Sequence, residues 1–198
     1  MGSAIKNILC LTVITIVAGV GLGFVYDVTK EPIAQMEEST KLKAYQSVFP
    51  EATDFGEADQ ALVASAAANA SPEGTCEIED AVIARDASGS DIGYVINVTT
   101  HEGYGGDITL SMGVDNAGEV KGIEILKISE TAGLGMKATE EKFRNQFANK
   151  AVTQFSYTKS GAKSDFEIDA LSGATITTKA VVDAVNTGLT FYGAIKGD

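Results

Sequence analysis

Asp169-Ala170-Leu171-Ser172-Gly173-Ala174-Thr175-Ile176-Thr177-Thr178 runs directly into Lys179-Ala180-Val181-Val182-Asp183-Ala184-Val185. A loop of small and polar residues opens a helix here, and only Leu171 and Ile176 in it are bulky. The first backbone N–H groups of a helix lack intrahelical partners and point outward, which suits a phosphate or another anion. Gly173 and Ala174 let a group approach the backbone closely. The hydroxyls of Ser172, Thr175, Thr177 and Thr178 surround that point. A plainer reading stands beside this one, because serine and threonine before a helix are common N-caps. Within the helix Val181, Val185 and Leu189 recur every four residues, and Val182 and Ala184 widen the apolar face. The pattern predicts a helix over Thr178–Leu189 with one side buried, and Gly188 loosening its final turn.

Upstream the chain reads as β-structure. Ala81–Arg85, Gly93–Thr100, Ile108–Val114 and Val120–Ile128 are rich in β-branched residues and mostly alternate. Asp86–Asp91 and Asp115–Glu119 separate them as turns, which predicts an antiparallel meander. Tyr104-Gly105-Gly106-Asp107 lies between the second and third strands, where its glycines either make a plain loop, the favoured reading, or let the backbone approach a ligand. Ser129-Glu130-Thr131-Ala132-Gly133-Leu134-Gly135 leaves the last strand as a tight turn that presents backbone amides and one apolar side chain. Thr139 then begins a predicted helix through Asn149, with Glu140 and Glu141 in its first turn and Phe143 and Phe147 on one face. Sheet and helices together predict an α+β domain, with a twisted antiparallel sheet packed on the 139–149 and 178–189 helices. Its ligand cleft is expected between two loops, after Ile128 and before Thr178.

From Ile8 to Tyr26 no residue is charged. About 18–20 apolar residues span a bilayer core of about 30 Å as a helix. Lys6 precedes the run and Asp27 follows it, so the positive-inside tendency predicts a cytoplasmic N-terminus and an outside domain. A cleaved signal peptide is the rival, but the run is long for a signal core and no Ala-x-Ala site follows. Gly19-x-x-x-Gly23 is spaced for close approach of another membrane helix. Pro32 can begin a new helix or kink the old one, and helical periodicity lasts to about Ser47. Residues 51–76 read as an irregular connection or a short helix. The expected organisation is a tail over 1–7, a membrane helix over 8–26, a membrane-proximal helix and linker over 27–50, and a domain over 51–198.

A net charge of −12 excludes nucleic acid, since no basic stripe is present to neutralise phosphates. Cys10 and Cys76 are the two cysteines, and Cys10 lies inside the apolar run, so neither a disulfide framework nor a cysteine metal site is expected. The one histidine, His101, reads as a surface residue. No constellation for acid–base, nucleophilic or metal catalysis is visible, so turnover of a small substrate by this chain alone is not expected.

Asp169-x-x-Ser172-Gly173-Ala174-Thr175 resembles the Asp-x-x-(Ser/Thr)-Gly-Ala-Thr signature of proteins that carry FMN covalently. Glu130-Thr131-Ala132-Gly133-Leu134-Gly135 is similar to the Glu-Thr-Pro-Gly-Leu-Gly segment of the same family, with Ala132 where proline is usual. The apolar anchor, Val48-Phe49-Pro50 and Gly103-Tyr104-Gly105-Gly106-Asp107 occur in family order with them. Within the covalent-FMN family the chain resembles the G subunits of the Rnf complexes, which couple electron transport between ferredoxin and NAD to ion translocation. The sister group is the C subunits of the sodium-translocating NADH:quinone oxidoreductases.

The resemblance implies that a flavin transferase joins the FMN phosphate to the Thr175 hydroxyl. Asp169 then belongs to the signature that the transferase reads, or braces the loop through backbone N–H groups. Ser172 and either Thr177 or Thr178 are expected to donate to phosphate oxygens, beside the close backbone of Gly173 and Ala174. The Glu130–Thr131 segment, the amides near Gly133 and the Leu134 side chain are expected against the isoalloxazine ring. The implied function is relay of one electron at a time in an ion-translocating ferredoxin:NAD oxidoreductase. The implied partners are membrane, iron–sulfur and flavin subunits of the complex, and the transferase during maturation. The alternatives are a C subunit of the sister group and a membrane-anchored flavin redox sensor.

Overall fold

The computed structural model describes residues 2–71 and 73–197. Residues 1, 72 and 198, which belong to the expected tail, connection and domain, lie outside them. The chain divides into two compact units, one up to Thr40 and the other from Lys41.

The first helix, α1, spans Gly2–Val48, and its N-terminal part is long and apolar enough to cross a membrane. Its hydroxyls turn back on their own helix: Thr12 Oγ1 donates to Ile8 O and Thr15 Oγ1 to Thr12 O, each at 2.9 Å. Hydroxyls satisfied in this way tolerate an apolar surround. Pro32 does not begin a new helix, because α1 continues on both sides of it.

The second unit is built on an antiparallel meander. Its strands are β1 (Asp54–Glu57), β2 (Cys76–Arg85), β3 (Asp91–Thr100), β4 (Ile108–Asp115) and β5 (Val120–Lys127), in spatial order 1-2-3-4-5. The alternation read from the sequence sends Ile96, Val98, Leu110, Met112 and Val114 to one face, all fully buried. α4 (Thr175–Lys196) lies on that face through Ala180, Val181, Ala184, Val185 and Leu189, and α2 (Gln60–Ala70) packs beside it. Gly188 does not loosen α4. It admits Met112, whose Sδ would lie 2.1 Å from a Cβ at that position. The other sheet face takes Tyr45, Val48 and Phe49 against Ala84 and Val95. Phe49 lies over the strand backbone at Gly113, where a Cβ would meet its ring at 2.9 Å.

One expectation needs correction, and two segments, one of them read as irregular or a short helix, hold more than was expected. The connection over 51–76 holds both β1 and α2, and Asp59 caps α2 by accepting from Ala61 N–H at 2.9 Å. The helix expected over 139–149 is a 3-10 turn at Gly135–Thr139 and a single turn α3 at Glu141–Arg144. Phe143 and Phe147 are buried as expected, but they form an edge-on aromatic row with Phe155 rather than the face of a long helix. Finally, a two-stranded parallel sheet, β6 (Ser156–Thr158) and β7 (Glu167–Asp169), leads into the loop before α4.

Candidate functional site

The start of α4 is an uncapped helix end. Its N-cap is Ala174, which has no side chain able to accept from the first amides. Among the described residues the amides of Thr175, Ile176 and Thr177 have no partner, and the first helical bond runs from Thr178 N–H to Ala174 O at 3.0 Å. The capping reading of the serine and threonines therefore does not hold, because none of their hydroxyls reaches these donors. The other amides of the loop are occupied. Ala170 N–H donates to Thr158 O at 2.8 Å, Leu171 N–H to Thr178 Oγ1 at 3.0 Å, and Ala174 N–H to Leu171 O at 2.9 Å.

These open donors border a cavity of about 600 Å³, lined by Tyr104, Glu130, Thr131, Leu134, Gly135 and residues 173–177. Close backbone contacts bring the loops together. A Cβ at Gly135 would stand 2.6 Å from Glu130 Oε2 and 2.7 Å from Thr177 Oγ1. A Cβ at Gly173, whose φ is +77°, would stand 3.1 Å from Leu134 Cδ2. Tyr104 N–H donates to Glu130 Oε1 at 2.8 Å, which ties the 101–107 loop to the buried Glu130. Tyr104, Leu134 and Ile176 line the site and are 71%, 42% and 54% exposed, so a ligand covering them gains hydrophobic contact.

A charged clasp holds the 101–107 loop from the side. Lys179 Nζ donates to Asp183 Oδ2 at 2.7 Å and to Glu102 Oε2 at 2.6 Å. The Asp183 and Glu102 carboxylates raise the Lys179 ammonium above the ordinary lysine value, and Lys179 lowers the Glu102 carboxyl below the ordinary glutamate value. His101 Nδ1 and Asp107 Oδ1 lie 2.9 Å apart across the base of the loop, with the histidine partly exposed.

The site residues expected from sequence divide into two groups. Glu130, Thr131, Leu134, Gly173, Ala174, Thr175 and Thr177 converge on the cavity. Asp169, Ser172, Gly133 and Thr178 do not line it. Thr178 is fully buried, and its hydroxyl accepts from Leu171 N–H and donates to Ala174 O. It stitches the loop to the helix, so of the two threonines Thr177 faces the cavity. Asp169 Oδ1 accepts from Ala162 N–H at 2.6 Å, which is a bracing contact. Ser172 opens onto a groove on another side of the loop, with Lys137, Glu140 and Gln146. Gly133 turns the chain at φ +76° so that Leu134 can project. Sequence reasoning did not name Gly135 or Ile176 as lining residues, and it held ligand approach at the Tyr104 loop only as the lesser alternative. The glycines flanking Tyr104 and Leu134 were the available signal.

The residues present fit FMN. Cavities for ligands of this size run about 300–1,000 Å³ and combine apolar walls with a few placed polar groups. Here Leu134, Ile176 and Tyr104 supply the walls, while open helix amides beside the Thr175 hydroxyl supply the anion site.

Comparison with known proteins agrees. Residues 103–190 match the model of the FMN-binding domain family. The chain is 33% identical over 189 residues to the G subunit of the Na(+)-translocating ferredoxin:NAD(+) oxidoreductase complex of Acetobacterium woodii, covering 93% of this chain and 89% of that protein. It is 30% identical over 200 residues to the G subunit of the ion-translocating oxidoreductase complex of Methanosarcina acetivorans, covering 97% and 96%. In structure it is similar to NqrC of Shewanella oneidensis, with a TM-score of 0.52 at 17% identity over 76% of this chain and 74% of that one. At that identity the likeness speaks for the fold.

Proposed function

The chain belongs to the family of G subunits of ion-translocating oxidoreductase complexes, and from that premise we propose that it carries FMN on Thr175 and passes electrons one at a time between subunits of an Rnf-type complex. It is a redox subunit of such an oxidoreductase, with an FMN-binding domain. The matches to G-subunit relatives span most of their length, which favours this reading over a C subunit of the sister group. The observation that carries the attachment is the uncapped start of α4 at the cavity, where Thr175 is the first helical residue.

Bound FMN supplies one-electron chemistry that no side chain of this domain has. The chain supplies the rest. The Thr175, Ile176 and Thr177 amides and the positive end of α4 hold the phosphate charge. The Thr177 hydroxyl adds a donor, and Leu134, Tyr104 and Ile176 keep water from the ring. In such an attachment Thr175 Oγ1 would bond to the flavin's phosphorus, and the bond from that phosphorus to the nucleotide half of a flavin–nucleotide diphosphate would break. The hydroxyl proton would be given up to solvent and a nucleoside monophosphate would leave, with no change of oxidation state. Lys6 before and Asp27 after the apolar stretch support a cytoplasmic N-terminus, with the FMN domain on the outer side of the cell membrane. There a covalent tether prevents loss of a cofactor that is not easily replaced.

The test is the intact mass of denatured protein made with its transferase. We expect the mass of the chain plus FMN less one water, carried on the peptide that contains Thr175 and absent from Thr175→Val. Flavin retained by denatured Thr175→Val overturns the attachment site, and wild-type protein at the bare chain mass overturns the attachment itself.

A further inference from the structure

Strand β7 runs straight into the loop that ends at Thr175, so whatever fixes β7 fixes the direction of that hydroxyl. One edge of β7 pairs with β6. Gln146, in the turn after α3, pairs with the strand from outside β6. Its Oε1 accepts from Asp169 N–H at 2.6 Å, and its Nε2 donates to Asp169 O at 3.4 Å. A side-chain amide here takes the place of a neighbouring strand. Asp169, Ala170 and Leu171 then have their three successive amides held by Gln146, by Thr158 O and by Thr178 Oγ1. Two of these brackets come from the sheet and from α4. Gln146 comes from a separate segment, 23 residues away, whose neighbours Phe143 and Phe147 are anchored in the core.

We infer that Gln146 is a positioning residue for Thr175: it fixes the backbone of Asp169 so that the following loop presents the Thr175 hydroxyl in one orientation for flavin attachment. The inference rests on the proposed attachment at Thr175. The acceptor bond carries the effect, since at 2.6 Å it is short and the donor bond at 3.4 Å is near the limit of the interaction. Removing it frees one peptide group, the Asp169 N–H, three residues before the Ser172-Gly173-Ala174 turn. It touches no group that lines the cavity, because Gln146 borders the groove beside Ser172 and Asp169 instead.

The experiment follows the rate of FMN attachment by intact mass, using purified transferase and flavin adenine dinucleotide. Wild type, Gln146→Ala and Gln146→Glu are compared, with amide hydrogen exchange recorded on the same unloaded proteins. We expect Gln146→Ala to load about tenfold more slowly, as for loss of one well-formed hydrogen bond. Exchange should quicken at Asp169 and in the 170–175 loop while the β3 and β4 amides stay protected. Gln146→Glu keeps the acceptor and should recover most of the rate. Equal rates for wild type and Gln146→Ala overturn the inference. So does a slow Gln146→Ala whose exchange rises throughout the sheet, because that marks general destabilisation. If wild type itself takes up no FMN, the attachment reading fails and this inference falls with it; a wild type that loads normally isolates the failure to Gln146.

Discussion

Helices α2 and α4 start within the same domain and are finished in opposite ways. At α2 the N-cap Asp59 turns its carboxylate onto the Ala61 and Leu62 amides, at 2.9 and 3.4 Å, and the helix closes on itself. At α4 the N-cap is Ala174, no side chain among the described residues takes the corresponding donors, and a cavity lies against them. Leaving donors uncapped costs about 1 kcal/mol of helix stability. At α4 that cost falls where the chain also presents Thr175, Leu134 and a buried Glu130. An open helix end set beside a cavity thus suits an anion from outside the chain, while α2 needs none.

The contrast can be broken at the α4 side most severely. Gly173→Ala places a Cβ at φ +77° and 3.1 Å from Leu134 Cδ2. We expect about 1–2 kcal/mol of strain in the loop and attachment slowed by about tenfold or more, measured by intact mass over time. Unchanged loading would mean that the loop geometry is not what presents Thr175. Asp59→Ala is the matched change at α2. It should lower unfolding free energy by about 1 kcal/mol in denaturant titration and leave flavin attachment at the wild-type rate. If it impairs loading as well, the two helix starts are not independent.

The smallest effect concerns the clasp at Glu102 and Lys179. Glu102 has its carboxyl lowered, chiefly by the Lys179 hydrogen bond, so its contribution is complete above the ordinary value of 4.5 and fades as pH falls through the folded value. Lys179 is raised, chiefly by Asp183 and then Glu102, so its share is complete below 10.5 and fades as pH rises through the folded value. Both side chains are well exposed, so the pair is worth only about a few tenths of a kcal/mol. Thermal unfolding of Glu102→Gln against wild type should differ slightly at pH 7 and converge at low pH. A difference that grows on acidification would contradict the assignment.

Much of the sheet was legible because alternating β-branched residues have only one way to bury a face. Ile96, Val98, Leu110 and Met112 announce it, and the observed strands β3 to β5 lie close to the expected ones. β1, β6 and β7 were not legible, since strands of three or four residues carry too little periodicity to stand out. α2 was legible only as one of two alternatives for 51–76, because among alanines and serines the helix is set by packing of Val63, Ala66 and Ala70 rather than by a strong stripe. Phe143 and Phe147 misled in the other direction. Four-residue spacing suggests a helix, but a compact turn stacked on Phe155 satisfies the same spacing.

By itself the amino-acid order determined the chemistry on offer. It supplied an uncharged stretch suited to a membrane, a small-residue loop ahead of a helix, and threonine hydroxyls grouped around that point. Only the tertiary structure decided which of those hydroxyls is left for a ligand. Thr178 is used inside the loop, Asp169 and Gln146 hold the backbone, and the Thr175–Thr177 amides remain open at a cavity made by loops far apart in sequence. The reason is that every buried donor and acceptor must find a partner. Which partners are within reach is settled by long-range packing and not by the neighbours in the chain.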